Sequence, residues 1–213
     1  MVLNKDTAEK VAQFLLQIKA VKLSPASPYT WASGWKSPIY CDNRISLSYP
    51  QTRTFLRQQF SSQIVEHFGK PDVIAGVATG AIAIGALVAE ELGLPFVYVR
   101  SSAKEHGMGN LIEGYLETGQ SVVVVEDLIS TGGSSLKAVE ALRNHGCTVK
   151  GMAAIFTYGF EKSESAFKDS KCNLITLTDY PTMIKKAFDQ NFVSAKDVES
   201  LKEWRKSPET WGV

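Results

Sequence analysis

The sequence predicts an α/β domain built on a mostly parallel sheet. Three observations carry that prediction. Short runs of apolar and β-branched residues alternate with helix-like segments across residues 72–178, the pattern of repeated strand–helix units. One run, Val122–Val125, is four consecutive valines. Both faces of that strand are apolar, as in a central strand covered on both sides. Two of the strands open into small-residue loops that pass straight into helices, Ala78-Thr79-Gly80-Ala81 and Ser130–Ser134. In open α/β sheets ligands bind at such carboxyl ends of strands.

In chain order, Lys5–Ala20 is a helix, with Val11, Phe14, Leu15 and Ile18 at helical spacing and Asp6 or Thr7 available as cap. Residues 23–44 are rich in Pro, Ser, Gly and aromatics and have no clean period, so short strands and turns are expected. The aromatics of this segment could cover a flat ring or form a small satellite core. Ser48–Gly69 is a helix with Pro50 in its first turn and Gly69 as its stop. A short buried strand, Asp72–Val77, leads through Thr79 and Gly80 into an apolar helix, Ile82–Leu92. Pro95–Arg100 is a further strand, followed by a polar, glycine-flanked stretch that carries Arg100, Lys104 and His106. On these residues alone such a stretch is first a solvated surface loop, although a cationic loop that closes over a polyphosphate has the same make-up. Leu111–Gln120 returns as a hairpin-like segment to the valine strand. A helix over Ser135–Asn144, a strand over Thr148–Tyr158, a short helix over Glu161–Asp169 and an edge strand over Cys172–Thr178 follow. Tyr180–Phe188 and Ser194–Lys206 are helices, and Ser-Pro-Glu-Thr-Trp after them is a loose tail.

Composition narrows the function classes. The 213 residues are 44% hydrophobic and 21% charged, with a formal net charge of +1, an ordinary balance for one globular domain. It offers no electrostatic footprint for nucleic acid. No apolar run approaches the roughly 20 residues of a membrane helix, and the charged amphipathic N-terminus is unlike a signal peptide. Three cysteines, Cys41, Cys147 and Cys172, have no CxxC spacing. That argues against a disulfide framework or zinc site and fits a reducing cytoplasm.

The chemistry concentrates after the valines. Glu126 and Asp127 are followed by Leu128, Ile129 and the loop Ser130-Thr131-Gly132-Gly133-Ser134. Glycines let a backbone approach a ligand, and the free N–H groups at the following helix start hold an anion. The acids suit sugar hydroxyls or a nearby divalent cation. A Rossmann loop would need Gly-x-Gly-x-x-Gly and a P-loop a Gly-Lys-Ser/Thr ending, and neither is present. A ribose-phosphate site and an ordinary core strand with a glycine turn both remain on these residues alone.

EDLISTGGS resembles the phosphoribosyl pyrophosphate (PRPP) motif of type I phosphoribosyltransferases: an apolar strand, two acids, two apolar residues and a Thr-Gly-rich loop. The resemblance implies that Glu126 and Asp127 meet the ribose hydroxyls and that Ser130–Ser134 wrap the 5′-phosphate. It also places Leu128 and Ile129 in the motif, and Thr79 with Gly80 in the pyrophosphate loop. Tyr29-Thr30-x-x-Ser33-Gly34-x-x-Ser37-Pro38-Ile39-Tyr40 is similar to the N-terminal hood of orotate phosphoribosyltransferases. That similarity implies Tyr40, Cys41 and Ser130 at the orotate ring, and we expect Arg44 to help bind its carboxylate. Arg-x-x-x-Lys-x-His-Gly matches the family's catalytic flexible loop, implying that Arg100, Lys104 and His106 contact pyrophosphate, with Asp127 a further catalytic residue. The sequence departs from the family at Ala32 and Ser101, where lysines are usual, and at Tyr158-Gly159-Phe160, where many relatives carry an orotate-binding arginine.

The resemblance implies one phosphoribosyltransferase domain over residues 1–213, with a hood over about 1–48, a PRPP-binding core over about 49–180 and C-terminal helices over about 180–206. It implies Mg²⁺ held mainly through PRPP, with PRPP and orotate as substrates. It implies a homodimer whose flexible loop reaches the neighbouring subunit. Two alternatives share the PRPP motif: an enzyme for another base, and a PRPP-sensing regulator.

Overall fold

The computed structural model describes residues 1–31, 33–102 and 111–212. Its centre is a six-stranded sheet. The strands are β5 (Val73–Val77), β6 (Phe96–Val99), β7 (Ile112–Glu113), β8 (Ser121–Ile129), β9 (Thr148–Thr157) and β10 (Leu174–Asp179), in the order β10-β9-β8-β5-β6-β7. All pairs are parallel except β6 with β7. The predicted mostly parallel sheet is therefore present, with its valine strand at the middle and β10 at an edge as expected.

Helices cover both faces. α1 (Lys5–Gln17), α2 (Pro50–Phe68) and α3 (Ile82–Leu92), together with α6 (Tyr180–Asp189) and α7 (Ala195–Lys206), enclose the larger core. α4 (Gly133–Asn144) and α5 (Glu161–Asp169) cover the other face. Val122 and Val124 point into the smaller core, and Val123 and Val125 into the larger; all four are fully buried. A run with no polar position is thus explained by two covered faces.

β8 is longer than the valines alone. Its ladder to β9 continues through Glu126 opposite Ala154 and Leu128 opposite Phe156. The two acids therefore sit in strand conformation, with side chains on opposite faces. The N-terminal cap of α1 is Asn4, not Asp6 or Thr7. Asn4 is extended, at φ −129° and ψ 118°, and accepts from the Thr7 N–H, the geometry a cap requires.

Residues 21–48 form the hood. β1 (Val21–Leu23) pairs antiparallel with β4 (Ile39–Cys41), and β2 (Tyr29–Thr30) with β3 (Lys36–Ser37); a 3-10 helix, Asn43–Ser48, follows. α1 itself packs on α6 and β10 as part of the larger core, so the irregular segment begins only at Val21. Of the aromatics in this segment, Trp31 turns inward. Trp31 lies 5.2 Å from the Tyr158 ring and 5.5 Å from Trp204, and the Trp204 indole N–H donates to Lys36 O at 3.1 Å. The tail after α7 is not loose: Trp211 packs against the larger core.

Candidate active site

Three separated pieces of chain meet in one cleft of about 480 Å³. The hood supplies Cys41, Asp42 and Arg44. The loop after β5 supplies Val77, Ala78, Thr79 and Gly80. The end of β8 supplies Glu126, Asp127 and Leu128, and the loop into α4 brings Ser130, Thr131, Gly132, Ser134 and Ser135. β5 and β8 are hydrogen-bonded neighbours in the sheet, so both small-residue loops leave the same edge side by side. That adjacency joins two stretches about fifty residues apart. The peptide bond between Ala78 and Thr79 is cis.

The two acids are not equivalent. Glu126 is 5% exposed; its Oε2 accepts from the Ser135 hydroxyl at 2.8 Å and its Oε1 from the Asp127 N–H at 3.0 Å. Burial, and then the neighbouring Asp127 charge, push its carboxyl up to about 8. Asp127 is raised too, chiefly by burial. Taking the charged forms out of water disfavours both, and Glu126 is the more deeply buried. Asp127 faces the first loop: a Cβ added to Gly80 would collide with its carboxyl group. Only glycine permits that approach.

Gly132 has φ +83° and precedes the first residue of α4 without any side-chain cap. The left-handed turn suits glycine, and the start of a 12-residue helix is left open to an anion. Leu128 lines the cleft as expected. Ile129 does not: it is fully buried in the smaller core, and its carbonyl accepts from the Tyr158 N–H at 3.1 Å. Its place in the motif is to anchor the loop. Gly133, as the first residue of α4, does not line the cleft either.

Cys41 lines the cleft, and its thiol donates to Asn43 Oδ1 at 3.4 Å. Burial, with the Asp127 and Asp42 carboxylates, raises that thiol well above its usual range. Tyr40 is 40% exposed and packs on Tyr29 at 5.7 Å, outside the cleft lining. Arg44 reaches the cleft but forms a fork with Asp42, Nε to Oδ1 at 2.7 Å and Nη2 to Oδ2 at 2.9 Å. Its bond to Asp42 holds that carboxyl below the usual carboxylate range. Arg100 sits at the β6–β7 edge, paired with Glu113 at 3.3 Å. Lys104 and His106 lie outside the described residues.

Sequence reasoning missed Asn43 and Ser135. Asn43, 2% exposed, donates from Nδ2 to the Asp127 carbonyl at 2.6 Å and so ties the hood to the acidic strand. Neither residue has a signal in the chain, since each is defined by a partner on another element. The segment after β9 holds a further difference. Arg205 of α7 donates to Tyr158 O and Gly159 O at 2.9 and 2.8 Å, so a guanidinium stands near the end of β9 although no arginine follows that strand.

A larger cavity of about 810 Å³ adjoins the cleft. Its lining is mostly apolar and holds neither acid of β8, so the reacting groups belong to the smaller cleft.

Residues 54–190 match the family described as the phosphoribosyl transferase domain. Over 209 residues the chain is 58% identical to the orotate phosphoribosyltransferase of Porphyromonas gingivalis, covering 98% of this chain and 100% of that one. It is 56% identical over 204 residues to that of Listeria innocua, covering 96% and 98%. The crystal structure of orotate phosphoribosyltransferase from Aeropyrum pernix superposes with a TM-score of 0.71 at 27% identity, over 83% of this chain and 98% of that one.

Proposed function

The chain belongs to the orotate phosphoribosyltransferases of the phosphoribosyl transferase domain family, and from that premise we propose how its own residues carry the reaction. It transfers the 5-phosphoribosyl group of PRPP to N1 of orotate, giving orotidine 5′-monophosphate and pyrophosphate, in pyrimidine biosynthesis. The observation that carries the assignment of roles is the convergence of both strand-end loops and the hood on one polar cleft with two carboxyls at its floor.

Orotate N1 forms the new bond to ribose C1 as the C1–O bond to pyrophosphate breaks, with inversion at C1. Positive charge develops on the ribose and negative charge on the leaving pyrophosphate. Asp127 accepts hydrogen bonds from the ribose hydroxyls and faces the developing cation. The amides of residues 130–134 at the start of α4 hold the 5′-phosphate. Thr79 and Gly80 present backbone to the pyrophosphate. Arg100, Lys104 and His106 receive its growing charge. The hood closes the base side with Cys41 and Arg44, opposite Ser130 of the loop into α4, and Tyr40 stands at its rim.

Magnesium suits this donor set, because that ion is held by substrate phosphates with one or two carboxylates. Asp127 is the carboxylate facing the loops that take those phosphates. Bound there, Mg²⁺ would neutralise pyrophosphate charge.

Three further assignments rest on narrower support. A homodimer fits α3, whose residues 82–89 carry no charge although only Ile84, Gly85, Val88 and Ala89 of the helix are buried. Leu87 packs on the larger core, which leaves Ile82, Ala83 and Ala86 as a small uncharged side for a partner to cover. A cytoplasmic location fits three unpaired cysteines. No described helix is long and apolar enough to cross a membrane.

The test is a spectrophotometric assay with PRPP, Mg²⁺ and orotate, with uracil, adenine and hypoxanthine in parallel. Turnover of orotate alone is expected. Turnover of another base instead would overturn the hood assignment, and PRPP binding without any turnover would overturn the enzyme reading.

A further inference from the structure

The larger cavity, of about 810 Å³, is unused by the reaction. It lies among the start of α5, both C-terminal helices and the tail. Its floor is apolar and partly aromatic: Phe160, Tyr180, Ile184, Phe188 and Val198. Phe188 is 46% exposed, a large apolar side chain left half in water. The volume falls in the range of small-molecule sites, roughly 300–1,000 Å³.

The rim is cationic. Lys162, Lys185, Lys202, Arg205 and Lys206 face it, against only Glu161 and Glu209, in a chain whose net charge is +1. Lys185 and Lys202 have acid partners at 2.6 and 2.8 Å, but both pairs are exposed and cost little to exchange. Lys162 and Lys206 have no ion-pair partner among the described residues. An apolar, ring-bearing floor under a cationic rim complements a flat aromatic group carrying an anion.

The cavity is also connected to the reaction. Thr131 of the phosphate loop lines both cavities, and Trp35 of the hood forms part of the larger one. Trp35 stacks on Trp31 at 6.4 Å, and Trp31 packs against Trp204.

We propose that this cavity is a second binding site, for a small aromatic anion, and that its occupancy is felt in the catalytic cleft through Thr131 and Trp35. A nucleotide and a free aromatic acid share this chemistry. The binding claim is independent of the reaction; the claim of an effect on orotate rests on the function proposed above.

The test uses the whole chain with PRPP and Mg²⁺ saturating, so that the catalytic cleft is filled. 8-Anilinonaphthalene-1-sulfonate, an aromatic anion, is titrated by its fluorescence. Saturable 1:1 binding is expected. The double variant K202E/K206E should weaken it about tenfold, equivalent to about 1.4 kcal/mol, with unchanged Tm and basal turnover. Phe188→Ser serves as a second, apolar variant and should weaken binding without relieving the charge dependence. Displacement by uridine 5′-monophosphate or by salicylate tells which source is preferred. In the assay, the bound fluorophore should shift the orotate KM of the wild type and leave that of K202E/K206E unchanged. Non-saturable binding, binding indifferent to rim charge, or failure of both competitors would overturn the site. A charge-dependent site with no effect on orotate KM would overturn the coupling alone.

Discussion

Gly80 has room for a hydrogen and little more, because the Asp127 carboxyl fills the space where a Cβ would stand. Gly80→Ala should push that carboxylate out of line with the ribose, and overpacking of this kind costs about 1–3 kcal/mol. The expected result is a rise of about tenfold in the PRPP KM; an unaltered PRPP KM would remove Asp127 from ribose binding. Glu126 makes a different prediction. Its carboxyl is pushed up to about 8, above the ordinary 4.5. The native chain thus keeps a proton that the unfolded chain has already released. The stabilisation from this group is complete below pH 4.5 and is lost as pH rises through 8. Between these limits the Tm of the ligand-free protein should fall with pH more steeply in the wild type than in Glu126→Gln, whose amide mimics the neutral acid. Parallel slopes would mean that Glu126 is charged in the native state. The acid pair was legible in the sequence as chemistry. Their inequality was not, because it comes from the deeper burial of Glu126, which outweighs its bond to Ser135.

At the scale of elements, the hood is held from two sides. Asn43 ties it to the Asp127 carbonyl, and Trp204 of α7 ties it to Lys36 O. Asn43→Ala removes the bond to the Asp127 carbonyl, worth about 1 kcal/mol net, and the weaker acceptor of the Cys41 thiol beside the site. Steady-state kinetics should show the orotate KM raised several-fold, with a smaller change for PRPP. Equal changes in both would make Asn43 a general stabiliser. Trp204→Phe keeps an aromatic ring but loses the indole N–H and part of a fully buried side chain; it should lower Tm by at least a few degrees, since about 1 kcal/mol shifts a domain of this size by roughly 2–4 °C. An unchanged Tm would show that the ring packing alone holds the hood. The helices and strands of the central sheet were legible because their periods are strong. The hood was legible only as irregular, since strands of two or three residues carry no period. Its aromatics were open between ring cover and packing, and Trp31 is settled as packing by Tyr158, just after β9, and Trp204 of α7.

For the whole molecule, Arg100 follows β6 while Glu126 and Asp127 lie at the end of β8, with β5 between them. Arg100 leaves β6 away from the cleft lining, paired with Glu113. A loop that serves a neighbouring subunit would reconcile this separation. Mixed dimers of a Lys104→Ala chain with an Asp127→Asn chain provide the check. One intact composite site is expected to survive in the hybrid, whereas an inactive hybrid would place each loop over its own cleft.

The amino-acid sequence by itself determined the sheet, the order of its helices and the chemistry of the motif, because periodicity, glycine and paired acids act over a few neighbouring residues. Arg205 at the end of β9, the Asn43 clasp and the close fit of Gly80 on Asp127 were decided only by tertiary structure. Each depends on two residues far apart in the chain whose meeting is set by packing of whole elements. No local pattern records which distant backbone atom a side chain will find.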